Sequence, residues 1–158
     1  MLTIRDAEPR DVPLILELVR ALAEYEKLAH QVVATGEAMA RALFGERPHA
    51  HALIACWEDR PAGFALYFFN FSTFLARPGL YLEDLFVLPA LRGQGMGKAL
   101  LVELARRARA AECGRMEWAV LDWNTPAIEV YQRLGARRLE EWRTFRLDVP
   151  AIAALAGA

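Results

Sequence analysis

Cysteine is scarce in this chain of 158 residues, with Cys56 and Cys113 the only two. They stand in unrelated segments without Cys-x-x-Cys spacing. That excludes a disulfide framework or a thiol redox motif and suits reduced core thiols in a reducing compartment. An excess of one charge is also lacking. The 19 Lys and Arg nearly balance the 20 Asp and Glu, for a net charge of -1. With no basic stripe, no nucleic-acid partner is expected. Long apolar runs are missing too. The longest uncharged stretch, Pro61 to Ala76, carries Asn70, Ser72 and Thr73 and falls short of the ~20 apolar residues that span a bilayer, so no membrane partner is expected. The first residues, Met1 to Asp6, turn charged too early for the apolar core of a signal peptide, and a cytoplasmic location is expected. His49 and His51 have the same-face spacing of a strand, but no Asp, Glu or Cys cluster accompanies them, so no metal is expected. Repeats, low-complexity tracts and linkers are absent, and residues 1–158 are read as one domain. What is present is an apolar share of 55%, enough for a chain of this length to bury roughly 70% of its unfolded surface.

The elements alternate in type. Leu2 to Ile4 is a short strand. Asp11-Val12-Pro13 caps and opens a helix whose Leu14, Leu16, Leu18, Val19 and Leu22 recur near helical spacing to about Leu28. Gly36 to Phe44 reads as a second helix. His51 to Trp57 and Gly63 to Phe71 form a hairpin across Glu58-Asp59-Arg60-Pro61, and Leu80 to Leu88 is the next strand. Then come a glycine-rich turn from Arg92 to Gly97, a helix striped by Leu100, Leu101, Leu104 and Ala108, and a strand from Arg115 to Leu121. A helix from Thr125 to Leu134 and a strand from Trp142 to Leu147 complete the pattern. The order predicts an α/β chain with a mixed sheet rather than a doubly wound parallel one.

Gly93, Gly95 and Gly97 alternate where a strand gives way to a helix, so several backbone N–H groups approach a ligand at the helix start. That is the chemistry of a phosphate site, with Arg92 before the turn and Lys98 after it adding charge. The turn lacks the Gly-Lys-Ser/Thr ending of a nucleotide triphosphate loop and the spacing of a dinucleotide fingerprint.

Arg92-Gly93-Gln94-Gly95-Met96-Gly97 resembles the Arg/Gln-x-x-Gly-x-Gly/Ala motif of the GNAT superfamily of N-acetyltransferases. Asn124-Thr125-Pro126-Ala127, with Tyr131 and Gly135 beyond, is similar to its second signature, Asn-x-x-Ala-x-x-x-Tyr-x-x-x-Gly. The likeness is closer to the diamine (spermidine/spermine) N-acetyltransferase branch, at Leu22-Ala23-Glu24-Tyr25-Glu26, Gly63-Phe64-Ala65, Tyr81-Leu82-Glu83-Asp84 and Trp123-Asn124. The resemblance implies a twisted, mostly antiparallel central sheet with flanking helices. In it the strand ending at Leu88 would bulge and splay from the strand Arg115 to Leu121. The backbone of Leu85, Phe86 and Val87 would then hydrogen-bond the pantetheine arm of acetyl-CoA like an added strand. Arg92 to Lys98 would hold the pyrophosphate, and Asn124, Thr125, Pro126 and Ala127 would contribute to the same cofactor.

The implied reaction is transfer of the acetyl group to a primary amine by direct attack in a ternary complex, because no cysteine is placed to carry the acetyl group. Such an amine is mostly protonated at neutral pH, so a carboxylate must attract the cation and relay its proton. Glu83 is the candidate. Neighbours on a strand face opposite ways, so Glu83 and Asp84 share a cleft only if a bulge redirects one. Tyr131 would protonate the departing thiolate, and Asn124 would also cap its helix. Tyr25, Glu26 and Asp84 match amine-contacting positions, and Glu140 or Glu141 supplies a further carboxylate, Glu141 being the one assigned. The branch carries an acidic residue in the turn after the third strand, where this chain reads Asn70-Phe71-Ser72-Thr73-Phe74. That departure favours a diamine or a lysine-like amino acid over a long polycation. A homodimer is implied, with the aromatic turn Phe71 to Leu80 as the surface to bury. Two alternatives stay open: a protein or peptide N-acetyltransferase, and a non-catalytic acyl-CoA-binding sensor.

Overall fold

A computed structural model gives the fold of residues 1–157, in two compact units, Met1–Leu121 and the residues from Asp122 on. The first unit is built on a five-stranded sheet in the order β1 (Leu2–Asp6), β2 (His51–Trp57), β3 (Arg60–Ser72), β4 (Arg77–Val87) and β5 (Arg115–Trp118). The first three pairings are antiparallel and β4 with β5 is parallel, so the sheet is mixed, as the element order predicted. The β2–β3 hairpin turns at Glu58 and Asp59, both left-handed at φ 48° and 62°. Two such residues in succession match the strand twist.

Helices α1 (Val12–Tyr25) and α2 (Gly36–Phe44) cover one side of the sheet. Ile15 and Leu18 of α1 and Leu43 of α2 pack with Ile54, Phe64 and Phe86 from the strands. Burying a side chain of that size is worth about 1.5–3 kcal/mol. The start of α1 is fixed by Asp11. Its buried carboxylate accepts two hydrogen bonds from the Arg5 guanidinium at 2.7 and 2.9 Å and one from the Glu8 N–H at 2.7 Å. Helix α3 (Met96–Ala110) lies on the other side, burying Met96, Leu100, Leu101, Leu104 and Ala108. Arg107 of α3 ties down that side by donating to Asp6 at 2.6 Å and to the Tyr67 hydroxyl at 3.1 Å.

In the second unit are α4 (Thr125–Arg133) and α5 (Val149–Leu155). Two sequence expectations need correction. The strand foreseen from Arg115 to Leu121 ends at Trp118, where its pairing with β4 stops. The strand foreseen from Trp142 to Leu147 does not form. Its alternation is real, but a strand exists only where its backbone groups find a ladder, and among the described residues of this unit there is no strand for it to join. Trp142 and Phe145 are 71% and 93% exposed.

Candidate active site

The register of β3 against β4 contains one irregularity, and two carboxylates sit on it. Leu82 pairs with Tyr67 and Asp84 with Leu66, so Glu83 is an extra residue with no partner opposite. Such a bulge resets the alternation of side chains. Tyr81 lies opposite Phe68, Asp84 opposite Leu66 and Phe86 opposite Phe64, which places all three on the side that α1 covers. Two residues on from Tyr81, Glu83 alternates to that side as well. The bulge the sequence required for both carboxylates to face one way is therefore present.

The electrostatics follow from this crowding. Burial, with Glu83 and Glu26 as negative neighbours, pushes the partly buried Asp84 carboxyl from an ordinary 3.8 up to about 6. Glu26 is raised by burial. The half-buried Tyr81 phenol is raised by burial and then by Glu83 and Glu117. Carboxylates crowded in this way favour a positively charged ligand, which would stabilise their ionised forms.

Glu26 and Tyr25 reach this place because α1 stops there. Lys27 adopts the left-handed conformation at φ 61°, and the Lys27 and Leu28 N–H groups close on the Glu24 and Ala23 carbonyls at 3.1 and 2.8 Å. That is the way a glycine ends a helix, taken here by a lysine. The Tyr25 ring lies 6.4 Å from the Phe86 ring. The Arg92 guanidinium covers both, 4.7 Å from the Tyr25 centroid and 5.3 Å from that of Phe86, and its Nε donates to the Val87 carbonyl at 3.0 Å. The sequence assigned Arg92 to the phosphate. In the structure its head group is engaged with β4 and the end of α1, and residues so distant in sequence gave no signal of that contact.

Beyond Arg92 the chain forms the expected turn. Gly93 and Gly95 are both left-handed at φ 82°, and a Cβ added at either would meet nothing within 4 Å. Gly95 is the N-cap of α3 and no side chain caps that end. The first-turn N–H groups, from Met96 to Lys98, thus stand without a side-chain cap at the positive end of a fifteen-residue helix. Room, donors and dipole fit the diphosphate of acetyl-CoA. Beside the turn, β5 pairs with β4 only from Gly79 to Leu82. From Glu83 to Val87 that edge has no strand partner among the described residues, so backbone groups of Leu85, Phe86 and Val87 are open to an extended ligand.

In the second unit the second signature becomes a helix with its two ends. The Asn124 side chain accepts from the Ala127 N–H at 3.4 Å and caps α4, and Thr125 and Pro126 form its first turn. Gly135, at φ 93°, ends it, with the Ala136 N–H closing on the Tyr131 carbonyl at 3.1 Å. Asn124, Ala127 and Gly135 thus have a geometric reason for their spacing, and the half-buried Tyr131 is the member that helix geometry does not explain. Glu140 is paired with Arg138 at 3.0 Å, and Glu141 is exposed.

The substrate-length argument from the Asn70 to Phe74 segment changes. Asn70, Phe71 and Ser72 end β3, and the β3–β4 turn lies at the Arg77 end of β4. Six residues of strand, about 20 Å, separate Arg77 from Glu83. Within one chain that turn does not reach the carboxylates. Ser72 is also buried, its hydroxyl accepting from the Leu75 N–H at 3.2 Å.

Among the described residues no group of three His, Cys, Asp or Glu side chains is placed to hold a metal ion, and no helix is long and apolar enough to cross a membrane. Among curated proteins the chain is 42% identical to a thialysine N-epsilon-acetyltransferase of Sus scrofa, over 98% of this chain and 96% of that protein. It is 33% identical to an L-ornithine N5-acetyltransferase of Arabidopsis thaliana, over 96% and 86%. Among solved structures, an integron cassette protein from the mobile metagenome of V. cholerae superposes with a TM-score of 0.81 at 25% identity, over 99% of this chain and 98% of that one. The family described as acetyltransferase (GNAT) matches residues 17–136, which span the carboxylate bulge, the glycine turn and the capped helix of Tyr131. By that match and those relatives, the chain belongs to the GNAT acetyltransferase family.

Proposed function

We propose that the protein transfers the acetyl group of acetyl-CoA to a primary amine of a small molecule, a diamine, a polyamine or a lysine-like amino acid, by direct attack in a ternary complex. The observation that carries this reading is the β4 bulge, which turns Glu83 and Asp84 to the side where the end of α1 presents Tyr25 and Glu26. The named activities of the thialysine and ornithine enzymes, both on small amines, support it.

Bound acetyl-CoA supplies the activated thioester. The glycine turn with Lys98 holds the pyrophosphate, and the backbone of Leu85, Phe86 and Val87 aligns the pantetheine arm. An alkyl ammonium with pKa about 10.4 must lose its proton before it attacks, at a cost of roughly 4.6 kcal/mol at pH 7. Glu26 and Asp84 draw the cation in, and the exposed Glu83 accepts its proton through water. Tyr131 then gives its phenolic proton to the departing thiolate. This role rests on the signature in which Tyr131 stands. The buried Cys56 and the Cys113 thiol, which burial pushes up, are unsuited to carry an acetyl group, which favours direct transfer. We further propose that residues 1–158 act as one domain, in the cytoplasm, as a homodimer.

A thiol-release assay with acetyl-CoA against diamines, polyamines, lysine analogues and peptides tests the reading. Turnover of the small amines is expected, with Tyr131→Phe lowering kcat by about 100-fold while CoA affinity changes little. Turnover of peptides alone, or of nothing, would overturn it.

A further inference from the structure

The Arg92 guanidinium stands at the seam between the two ligand sites of the first unit. On one side are the Tyr25 and Phe86 rings it covers, at 4.7 and 5.3 Å. On the other, beginning at the next residue, is the glycine turn with its open anion cradle. The rings have the character of an ammonium site in their own right. Their faces attract cations, Glu26 adjoins Tyr25, and Asp84 stands two residues from Phe86 on the same side of β4. In the structure the cation on those faces is the protein's own Arg92.

We propose that Arg92 is an interlock between the two substrates. Its guanidinium occupies the faces of Tyr25 and Phe86 on which the acceptor's ammonium stacks, and a diphosphate at the glycine turn draws it away. The inference rests on the amine-acetylation reading above and adds to it a coupling between the two sites. The rings lie on the α1 side of the sheet and the glycine turn opens α3 on the other, so the guanidinium leaves the rings to chelate a phosphate at that turn. The diphosphate is the stronger partner, because it offers paired oxygens to a planar fork that otherwise donates through Nε to one carbonyl. Arg92 is exposed, so its head group moves without disturbing the core. By linkage the effect is reciprocal: whichever ligand binds first raises the affinity for the other. The device disfavours an amine settling on a protein that has no acetyl donor.

Calorimetry with 1,4-diaminobutane and acetyl-free coenzyme A, which bind without reacting, measures the coupling. The wild-type protein should bind the diamine about tenfold more tightly with coenzyme A present. In Arg92→Met the diamine should bind the free protein about as tightly as it binds the loaded wild type, coenzyme A should bind more weakly, and the coupling should vanish. A residue serving only the phosphate would weaken coenzyme A and leave the diamine unchanged in the free protein, and that result overturns the interlock. Tyr25→Leu removes the shared face and should also abolish the coupling, while an unchanged coupling there counts against the proposal. In the wild-type protein, the Arg92 Nε–H resonance should lose its ring-current shift on addition of coenzyme A, and a resonance that stays in place overturns the proposal. Amine turnover in the thiol-release assay without coupling defeats the interlock alone. Absence of both diamine binding and amine turnover defeats the amine-acetylation reading with it.

Discussion

Asp84 is a residue that the fold burdens. Its carboxyl, raised to about 6 by burial and by Glu83 and Glu26, binds its proton more tightly in the folded chain than in the unfolded one. The stability this contributes is therefore present below pH 3.8, declines as pH climbs to about 6, and is gone above. Asp84→Asn removes the charge that is disfavoured at pH 7. It should stabilise the protein there by roughly 1–3 kcal/mol, with little effect at pH 4, as urea unfolding at the two pH values will measure. The same change should raise KM for a diamine several-fold. Gain of stability with loss of substrate affinity marks a group kept for binding, and a destabilised Asp84→Asn at pH 7 would contradict this. Asp11 has the opposite sign. Its carboxyl is held below the ordinary range by the Arg5 guanidinium, so its contribution is present above about 3.8 and is lost as the solution is acidified further. At this scale the sequence singled out Glu83 and Asp84 by type and position. It carried no sign of the Arg92 stack on Tyr25, because that contact depends on where a helix and a strand meet.

Among the elements, α3 begins on the most informative geometry. Gly95 holds a conformation that costs an L-residue about 1 kcal/mol, and the space around it is open. Gly95→Ala should therefore lose about 1 kcal/mol and retain most of its coenzyme A affinity. Gly95→Asp adds a carboxylate that caps the N–H groups the phosphate needs and repels the phosphate itself. Its dissociation constant should rise by at least about tenfold in calorimetry. Equal affinities for the two variants would remove the pyrophosphate from this turn. Helices α1 to α4 were legible from apolar periodicity and marked ends, such as Pro13 and Asp11 at α1, Gly95 at α3, and Asn124 and Gly135 at α4, whereas α5 was not foreseen. Strands were less so. The Trp142 to Leu147 segment alternates as a strand does, but alternation describes a surface and says nothing of a pairing partner. β3 and β4 run on past the predicted ends, to Ser72 and from Arg77, because the two strands satisfy each other's backbone groups up to the turn.

For the whole molecule, the β3–β4 hairpin leaves Phe71 62% and Phe74 99% exposed, with Phe69 and Leu75 beside them. Aromatic area of that kind at a hairpin tip is what a two-fold contact would cover. Light scattering at micromolar concentration should report twice the mass of one chain, and Phe74→Glu should halve it. A wild-type monomer would defeat the expectation. The mixed sheet was foreseen from element order alone. The construction of α4 has a consequence for reading other chains of this family. Asn124 and Gly135 begin and end a helix, and any helix of that length is served by such a pair. The phenol of Tyr131 takes no part in those two ends. On the mechanism proposed above, a sibling sequence with both ends intact and phenylalanine between them would hold the same thioester and turn it over about 100-fold more slowly. Punctuation marks the lineage, and on that mechanism a single hydroxyl sets the rate.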